Sequence, residues 1–285
     1  IRIWSAPAAL VNFVLIGWFV GLGNARAPLA MVLTANAVNI VLDLTLVPGL
    51  GFAVKGVAWA SLIAEYVGTA LGAWLIGKEL ALRPGRWSRA AILHLRDLYA
   101  LFSANAALFL RTLLLMFAFA FLTTMGARQT DTILAANAIL VNLQYLMAYV
   151  LDGFANAAES LTGRAIGSRD SAGVGAIVHE CLIWTLAAAL VIAIIFAVAG
   201  PLAIRIVTSV PSVIETAHRY LPWMVLSPLV CAWGFLYDGV FVGAQRAGAM
   251  FGVMLVAVVV VFLPVWWLTR GFGNHGLWFA FTLFN

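Results

Sequence analysis

The stretch Leu29 to Tyr66, LAMVLTANAVNIVLDLTLVPGLGFAVKGVAWASLIAEY, decides how the rest of the chain is read. It contains two long apolar runs joined by Pro48-Gly49-Leu50-Gly51, a combination that stops one helix and turns the chain. Each run is long enough to cross a bilayer as a helix. In the first, Asn36, Asn39 and Asp43 recur at i, i+3 and i+7 and so share one face; in the second, Ser61 and Glu65 are four apart and again share a face. A carboxylate inside the hydrocarbon region is costly, so its presence points to function. Two of them fall in neighbouring helices, one backed by two amides, and the rest of the sequence reads as what holds and uses that pair.

Composition agrees. Of 285 residues, 64% are hydrophobic and 9% charged, and the mean hydropathy of +1.05 excludes a soluble globular domain. Only helices or closed barrels satisfy the backbone in lipid, and these apolar runs are too long and continuous for barrel strands. The fold class is therefore an all-α polytopic membrane protein, with the lipid bilayer as its first partner. Cys181 and Cys231 fall within expected helices and indicate no disulfide framework. The net charge of +5 does not imply nucleic acid, because most basic residues lie in short loops between helices. Ile1 already lies within an apolar pattern and Asn285 falls partway through another, which leads us to expect an interior piece of a longer chain.

Nine segments are expected, at about 4–22, 28–48, 54–77, 97–124, 132–160, 174–199, 219–243 and 247–268, with a last one starting near 275. One set of alternate loops holds nine basic residues against six in the other, and five of the nine fall between Lys78 and Arg96. That loop is placed in the cytoplasm. It is also the one clear linker, spanning 79–96 and carrying Pro84-Gly85. A shift of 220 residues aligns Gly23 with Gly243, Arg26-Ala27 with Arg246-Ala247, Gly51-Phe52 with Gly271-Phe272, Gly56 with Gly276 and Ala60 with Ala280. These identities sit at turns, and a parallel repeat of this kind is a transporter architecture with substrate bound between the halves. Asn39 and Asp43 correspond to Val259 and Leu263, so only the first copy keeps its carboxylate. Such asymmetry suggests a coupling-ion site confined to one half.

Here the residues match a known family. Asn39-Ile-Val-Leu-Asp43 followed by Gly56-Val-Ala-Trp-Ala-Ser61 resembles the multidrug and toxic compound extrusion (MATE) transporters. The segments starting at Leu110 (LRTLLL), Leu134 (LAANA), Leu151 (LDGFANAAE) and Gly163 (GRAIGSRD) resemble its DinF branch. The resemblance implies twelve helices in two pseudo-symmetric six-helix bundles around a central cavity, exporting amphipathic organic cations in exchange for H⁺ or Na⁺. By that template the chain holds helices four to eleven and the start of twelve. Residues 1–78 would be the remainder of the N-terminal lobe, 79–96 the cytoplasmic inter-lobe linker and 97–285 the C-terminal lobe. Asn39 and Asp43 stand where the family has its fifth-helix Asn and Asp, and Ser61 where relatives often carry Thr. The family's first-helix Asp would lie upstream of Ile1.

The polar residues within spans each allow a structural reading beside a functional one. For Asp43 a coupling role, with Asn39, Asn36, Ser61 and Glu65, is favoured over a helix-to-helix hydrogen bond. Glu65 divides between lining a cavity and a polar contact with Asn36 or Ser61. In the second half, Arg111 calls for a partner, and Asp152, Asn156 and Glu159 share a helix face at i, i+4 and i+7. An Arg111–Asp152 ion pair within that network is favoured over drug binding. Asp238, five residues before Gly243, reads as interfacial, and His179-Glu180 is not spaced as a metal site. Met116, Met147, Tyr145, Tyr149, Trp223, Met224, Phe235 and Tyr237 read as packing or lipid-facing, with a subset able to form an adaptable cavity wall.

No P-loop, metal cluster or nucleophile elbow is seen, which argues against an ATP-driven pump or a membrane enzyme. The expected function is a cation-coupled antiporter, with the proton as its ion, exporting amphipathic organic cations across the bacterial inner membrane as a monomer without cofactor. A lipid-linked precursor flippase is the alternative; it would want a basic cavity for pyrophosphate, whereas intramembrane Asp and Glu outnumber the single Arg. An integral-membrane transferase, a third reading, would want an Asp-rich motif at a membrane surface.

Overall fold

A computed structural model of the protein describes residues 1–82 and 93–285, and all regular structure among them is helical. The chain divides into two compact units, Ile1–Ile92 and Leu93–Asn285, each with its own packing. Among the described residues, eight helices are long and apolar enough to cross a membrane. Many large apolar side chains on them are exposed, Phe13 and Leu10 among them, as expected where lipid takes the place of water. The protein is a multi-pass membrane protein.

The first unit is built from α1 (Ala6–Gly21), α2 (Arg26–Leu44) and α3 (Ala53–Ala81). Between α1 and α2, Asn24 Oδ1 accepts from the backbone N–H groups of Arg26 (3.1 Å) and Ala27 (3.2 Å), satisfying two free donors at the start of α2. After Leu44 the helix widens into a π-helical turn, Thr45–Gly49, which contains Pro48 and ends the span. Helix α3 carries a stripe that periodicity of apolar residues does not reveal. Gly56, Ala60, Ala64, Gly68 and Gly72 recur every fourth residue and all are buried. With no hydrophobic drive between helices in lipid, such small residues let neighbours approach closely and gain dispersion contacts. A Cβ at Gly72 would lie 2.6 Å from Met31 Cε and 2.7 Å from Leu15 Cδ1, the two side chains that fill the space it leaves.

The second unit contains α4 (Leu95–Ala127), α5 (Asp131–Gly167), α6 (Ser171–Val207), α7 (Pro211–Gly243), α8 (Ala247–Phe272) and α9 (Asn274–Phe284). Thr130 Oγ1 caps α5 by accepting from the Ile133 N–H at 3.1 Å, and Asp170 Oδ1 caps α6 by accepting from the Gly173 N–H at 2.8 Å. The core is large and aromatic, with Trp278, Phe262 and Phe281 fully buried beside Leu122, Leu140, Met147 and Met224. Phe121 meets Trp266 edge to face at 4.8 Å between centroids. Helices α5 and α7 touch backbone to backbone, because a Cβ at Gly239 would collide with the Ala155 carbonyl and one at Gly243 with the Glu159 carbonyl.

The expected segments match these helices, but three boundaries differ. Helix α5 continues to Gly167 and α6 to Val207, and α7 begins at Pro211. At 37 residues α5 is about 55 Å long, well beyond a hydrocarbon core of about 30 Å. The apolar pattern stops where lipid stops; the backbone hydrogen bonds do not. The expected linker at 79–96 falls for the most part outside the described residues, while its first residues complete α3 and its last ones open α4. Positive-φ residues fall at the corresponding turns of the two copies: Gly23 (φ 72°) and Gln245 (φ 55°) are 222 residues apart, as are Gly51 (φ 71°) and Gly273 (φ 58°), while Ala53 (φ 44°) and Gly273 are 220 apart. At an offset of 222, Asn39 and Asp43 correspond to Val261 and Val265, so the asymmetry of the carboxylate stands in either alignment.

Candidate functional site

In the first unit, Asp43 is half-buried one turn beyond Asn39 on α2, with Ser61 facing them from α3. The Asn39 amide orients with Nδ2 donating to Asp43 Oδ2 (3.3 Å) and Oδ1 accepting from the Ser61 backbone N–H (3.2 Å), because the reverse would set oxygen against carboxylate. The Ser61 hydroxyl lies within 3.5 Å of the same amide. Asp43 Oδ1 is buried with no hydrogen-bond partner among the described residues. A buried carboxylate oxygen without donor or cation is a polar group whose burial is left uncompensated. The π-helical turn at Thr45 starts two residues later, so the ladder of backbone bonds is already irregular beside the carboxylate.

Glu65 makes a different contact from either of those expected. Asn12, on α1, donates from Nδ2 to Glu65 Oε2 at 2.9 Å, and its Oδ1 accepts from the Thr69 hydroxyl at 3.1 Å. Asn36 does not bond to Glu65, but both line a cavity of about 220 Å³ together with Asn12 and Gly68. Asn12 and Thr69 were missed by sequence reasoning. The available signal for Asn12 was its isolation, a single amide in an apolar helix.

The second unit places its charges elsewhere than expected. Arg111 Nη2 donates to Asp238 Oδ2 and forms an ion pair with it. This corrects the Arg111–Asp152 pair, and it corrects the interfacial reading of Asp238. Asp152 stays within the electrostatic reach of Arg111 and lines the same cavity, but it is not the bonded partner. Asn156 and Glu159, one and two turns further along α5, do not line that cavity, so of the four residues Arg111, Asp152, Asn156 and Glu159 it brings together only the first two. The physical reason is helix rotation. Arg111 meets the face of α7 that carries Asp238, and spacing along α5 alone does not report which neighbour a side chain faces.

The cavity itself has a volume of about 810 Å³. Tyr145, Tyr149, Phe235 and Tyr237 line it, whereas Met147 and Met224 are core and Met116 is exposed away from it. Trp223 lies outside it too, donating from Nε1 to His275 Nδ1 at 3.1 Å. Gln144 belongs to a buried cluster at its wall, where the Ser227 hydroxyl donates to Gln144 Oε1 at 2.9 Å and Cys231 Sγ lies 3.3 Å from the same hydroxyl. Away from the cavity, Asn137 and Asn274 exchange two amide hydrogen bonds of 2.9 Å, and Trp278 Nε1 adds a third to Asn137 Oδ1 at 2.9 Å. All three residues are buried, which makes this a structural clasp between α5 and α9.

Comparison with known proteins places this geometry. The family model described as MatE matches residues 107–268. DNA damage-inducible protein F of Escherichia coli (strain K12) is 39% identical over 287 residues, covering 100% of this chain and 62% of that protein. Protein DETOXIFICATION 42 of Arabidopsis thaliana is 24% identical, covering 100% of this chain and 54% of its own length. In structure, the chain superposes on the Vibrio cholerae MATE transporter VcmN with a TM-score of 0.87 at 20% identity, over 99% of this chain and 65% of that one. That likeness is one of fold. The chain thus spans 62% and 54% of the length of these two curated relatives, less than two thirds of each.

Proposed function

Since the chain belongs to the MatE family, we propose that it forms part of a cation-coupled antiporter that exports amphipathic organic cations across the bacterial inner membrane, with the proton as coupling ion. The observation that carries this reading is the buried, unpartnered Oδ1 of Asp43 within a membrane span. Asn39 holds the other carboxylate oxygen and fixes the side chain, while Ser61 fixes Asn39. Taking up a proton removes the uncompensated charge and releasing it restores that charge, so the two protonation states favour different surroundings for the carboxylate. Each elementary charge moved across the membrane is worth about 2.3 kcal/mol per 100 mV, enough to bias a two-state transporter more than tenfold. Glu65, held by Asn12 beside its own cavity, is a second acidic group in the same unit. The protein acts as a monomer and needs no cofactor beyond the coupling ion.

The test is Asp43→Asn in the intact parent protein, reconstituted into proteoliposomes. The change keeps size and hydrogen bonding and removes only the titration. Ethidium transport driven by a pH gradient should be lost, while ethidium binding and the unfolding midpoint in detergent remain. Transport by the Asn variant at the wild-type rate, with the wild-type pH dependence, would remove Asp43 from the mechanism.

A further inference from the structure

Trp223 and His275 join α7 to α9 by a bond whose chemistry depends on a proton. The indole nitrogen is a donor only, and Trp223 donates from Nε1 to His275 Nδ1 at 3.1 Å. Nδ1 therefore carries no hydrogen in this arrangement, and the neutral ring holds its own on Nε2. Tyr220, about one turn before Trp223, meets the same ring edge to face at 4.7 Å between centroids. His275 itself is exposed, in the first turn of α9. An imidazolium has hydrogens on both nitrogens and cannot accept from an indole. It also brings positive charge to the positive end of the α9 dipole.

The elements around the ring carry Glu215, His218, Arg219 and Tyr220 on α7, Arg270 at the end of α8, and Arg128 and Asp131 at the turn between α4 and α5. Glu215 is engaged with Arg219 at 3.7 Å, and among the described residues no carboxylate pairs with His275. Nothing there holds a charged ring in place. What the bond restrains is set by Pro222, which lies inside α7 next to Trp223. It lacks the N–H that would bond the His218 carbonyl, so the helix is weakened where the bond is made. Outward of it, residues 211–221 rest on α6, where a Cβ at Gly200 would lie 2.9 Å from Leu221 Cδ1.

We propose that Trp223 and His275 form a pH-operated latch, closed while the imidazole is neutral and opened by a proton, which frees residues 211–221 of α7 from α9 about the weak point at Pro222. Helix α9 stays in place, because Asn274 and Trp278, on either side of His275 in sequence, are bonded to Asn137. Imidazole is the side chain that ordinarily changes charge between about pH 5 and 8. The latch answers to protons on the side of the membrane where α4 ends and α5 begins. It goes beyond the export reading and does not depend on Asp43.

NMR of the intact parent protein in detergent, with nitrogen-labelled indoles, tests the latch. The Trp223 Nε1–H resonance, assigned by its loss in Trp223→Phe, should move in one step as the pH falls from about 8 to about 5. His275→Asn keeps an acceptor near the place of Nδ1 and cannot be charged, so in it the resonance should stay fixed. Hydrogen exchange read by mass spectrometry tests the hinge. At about pH 5.5 the amides of residues 213–221 should exchange roughly fivefold faster in the wild type than in His275→Asn, the factor one hydrogen bond is worth, and near pH 8 the two should match. A wild-type Trp223 resonance that does not move over that range would overturn the latch, whether or not His275→Asn folds. Movement that persists in His275→Asn would assign the response to His218 and overturn it too. Equal exchange of residues 213–221 in the two proteins at about pH 5.5 would overturn the freeing of α7.

Discussion

Asp43 and Asp238 are the same side chain in comparable helices, and the two units treat them in opposite ways. Asp43 is given an amide on one oxygen and, among the described residues, no partner on the other. Asp238 is given a guanidinium. An ion pair within a membrane span fixes two helices and resists change, because removing either partner leaves the other charge uncompensated in a poor solvent. A carboxylate held only by a neutral amide ties its helix to no counter-charge. The contrast is between a charge fixed by its opposite and a charge held by an amide alone, within one chain and one solvent.

The packing follows the same division. The first unit relies on the small-residue stripe of α3, whose partners at Gly72 are the flexible ends of Met31 and Leu15. The second unit sets α5 against α7 by backbone contact and fills the remainder with rings. Soft partners tolerate adjustment; backbone partners do not.

The sharpest way to break the comparison is Arg111→Ala. It should destabilise the protein by about 3 kcal/mol, since Asp238 loses its partner inside the span. Adding Asp238→Asn should recover a large part of the loss, and adding Asp152→Asn a smaller part. Chemical unfolding of the intact protein in detergent measures all three, and equal rescue by the two second-site changes would dissolve the distinction between bonded and neighbouring acid. Next in size, Gly239→Ala should cost about 2–3 kcal/mol, because its Cβ meets the Ala155 carbonyl; Gly72→Ala should cost about 1 kcal/mol, because Met31 can rotate away. Similar costs at the two sites would mean that the packing contrast is not mechanical. The smallest effect is expected at Asp43→Asn, about 0.5 kcal/mol or less and in the stabilising direction, since a charge without a cation partner is removed. A loss there as large as that of Asp238→Asn would show that Asp43 is structural after all.

How much of this was legible in the sequence depends on what sets each feature. The spans were legible because lipid imposes a length and a polarity on every helix that crosses it. Asn39, Asp43 and Ser61 were legible because all three lie on helices joined by a tight turn, which leaves little freedom in how they face one another. Asp238 was not. Its partner is 127 residues away, and their meeting depends on the rotation of two helices separated by two others. Nearness to a helix end suggested an interface with water, but Arg111, at the middle of α4, meets Asp238 there as its ion-pair partner. The contact between Asn12 and Glu65 was hidden for a similar reason, since α1 meets α3 only through packing. The stripe from Gly56 to Gly72 was visible in the letters all along; its period marks close approach rather than amphipathicity, and apolar patterning passes over it.

The clasp of Asn137, Asn274 and Trp278 also has a consequence for how the chain is made. Asn137 is synthesised 137 residues before the amide that completes it. At roughly 5–20 residues per second, translation leaves that interval at about 7 to 30 s. During it α5 has entered the membrane with a polar side chain whose final partner does not yet exist. Lipid cannot satisfy an amide, so in that interval Asn137 must be sheltered by the insertion machinery or by a temporary neighbour. The arrival of α9 ends the wait, and the locking of the second unit is thereby tied to one of the last events in the synthesis of this stretch of chain.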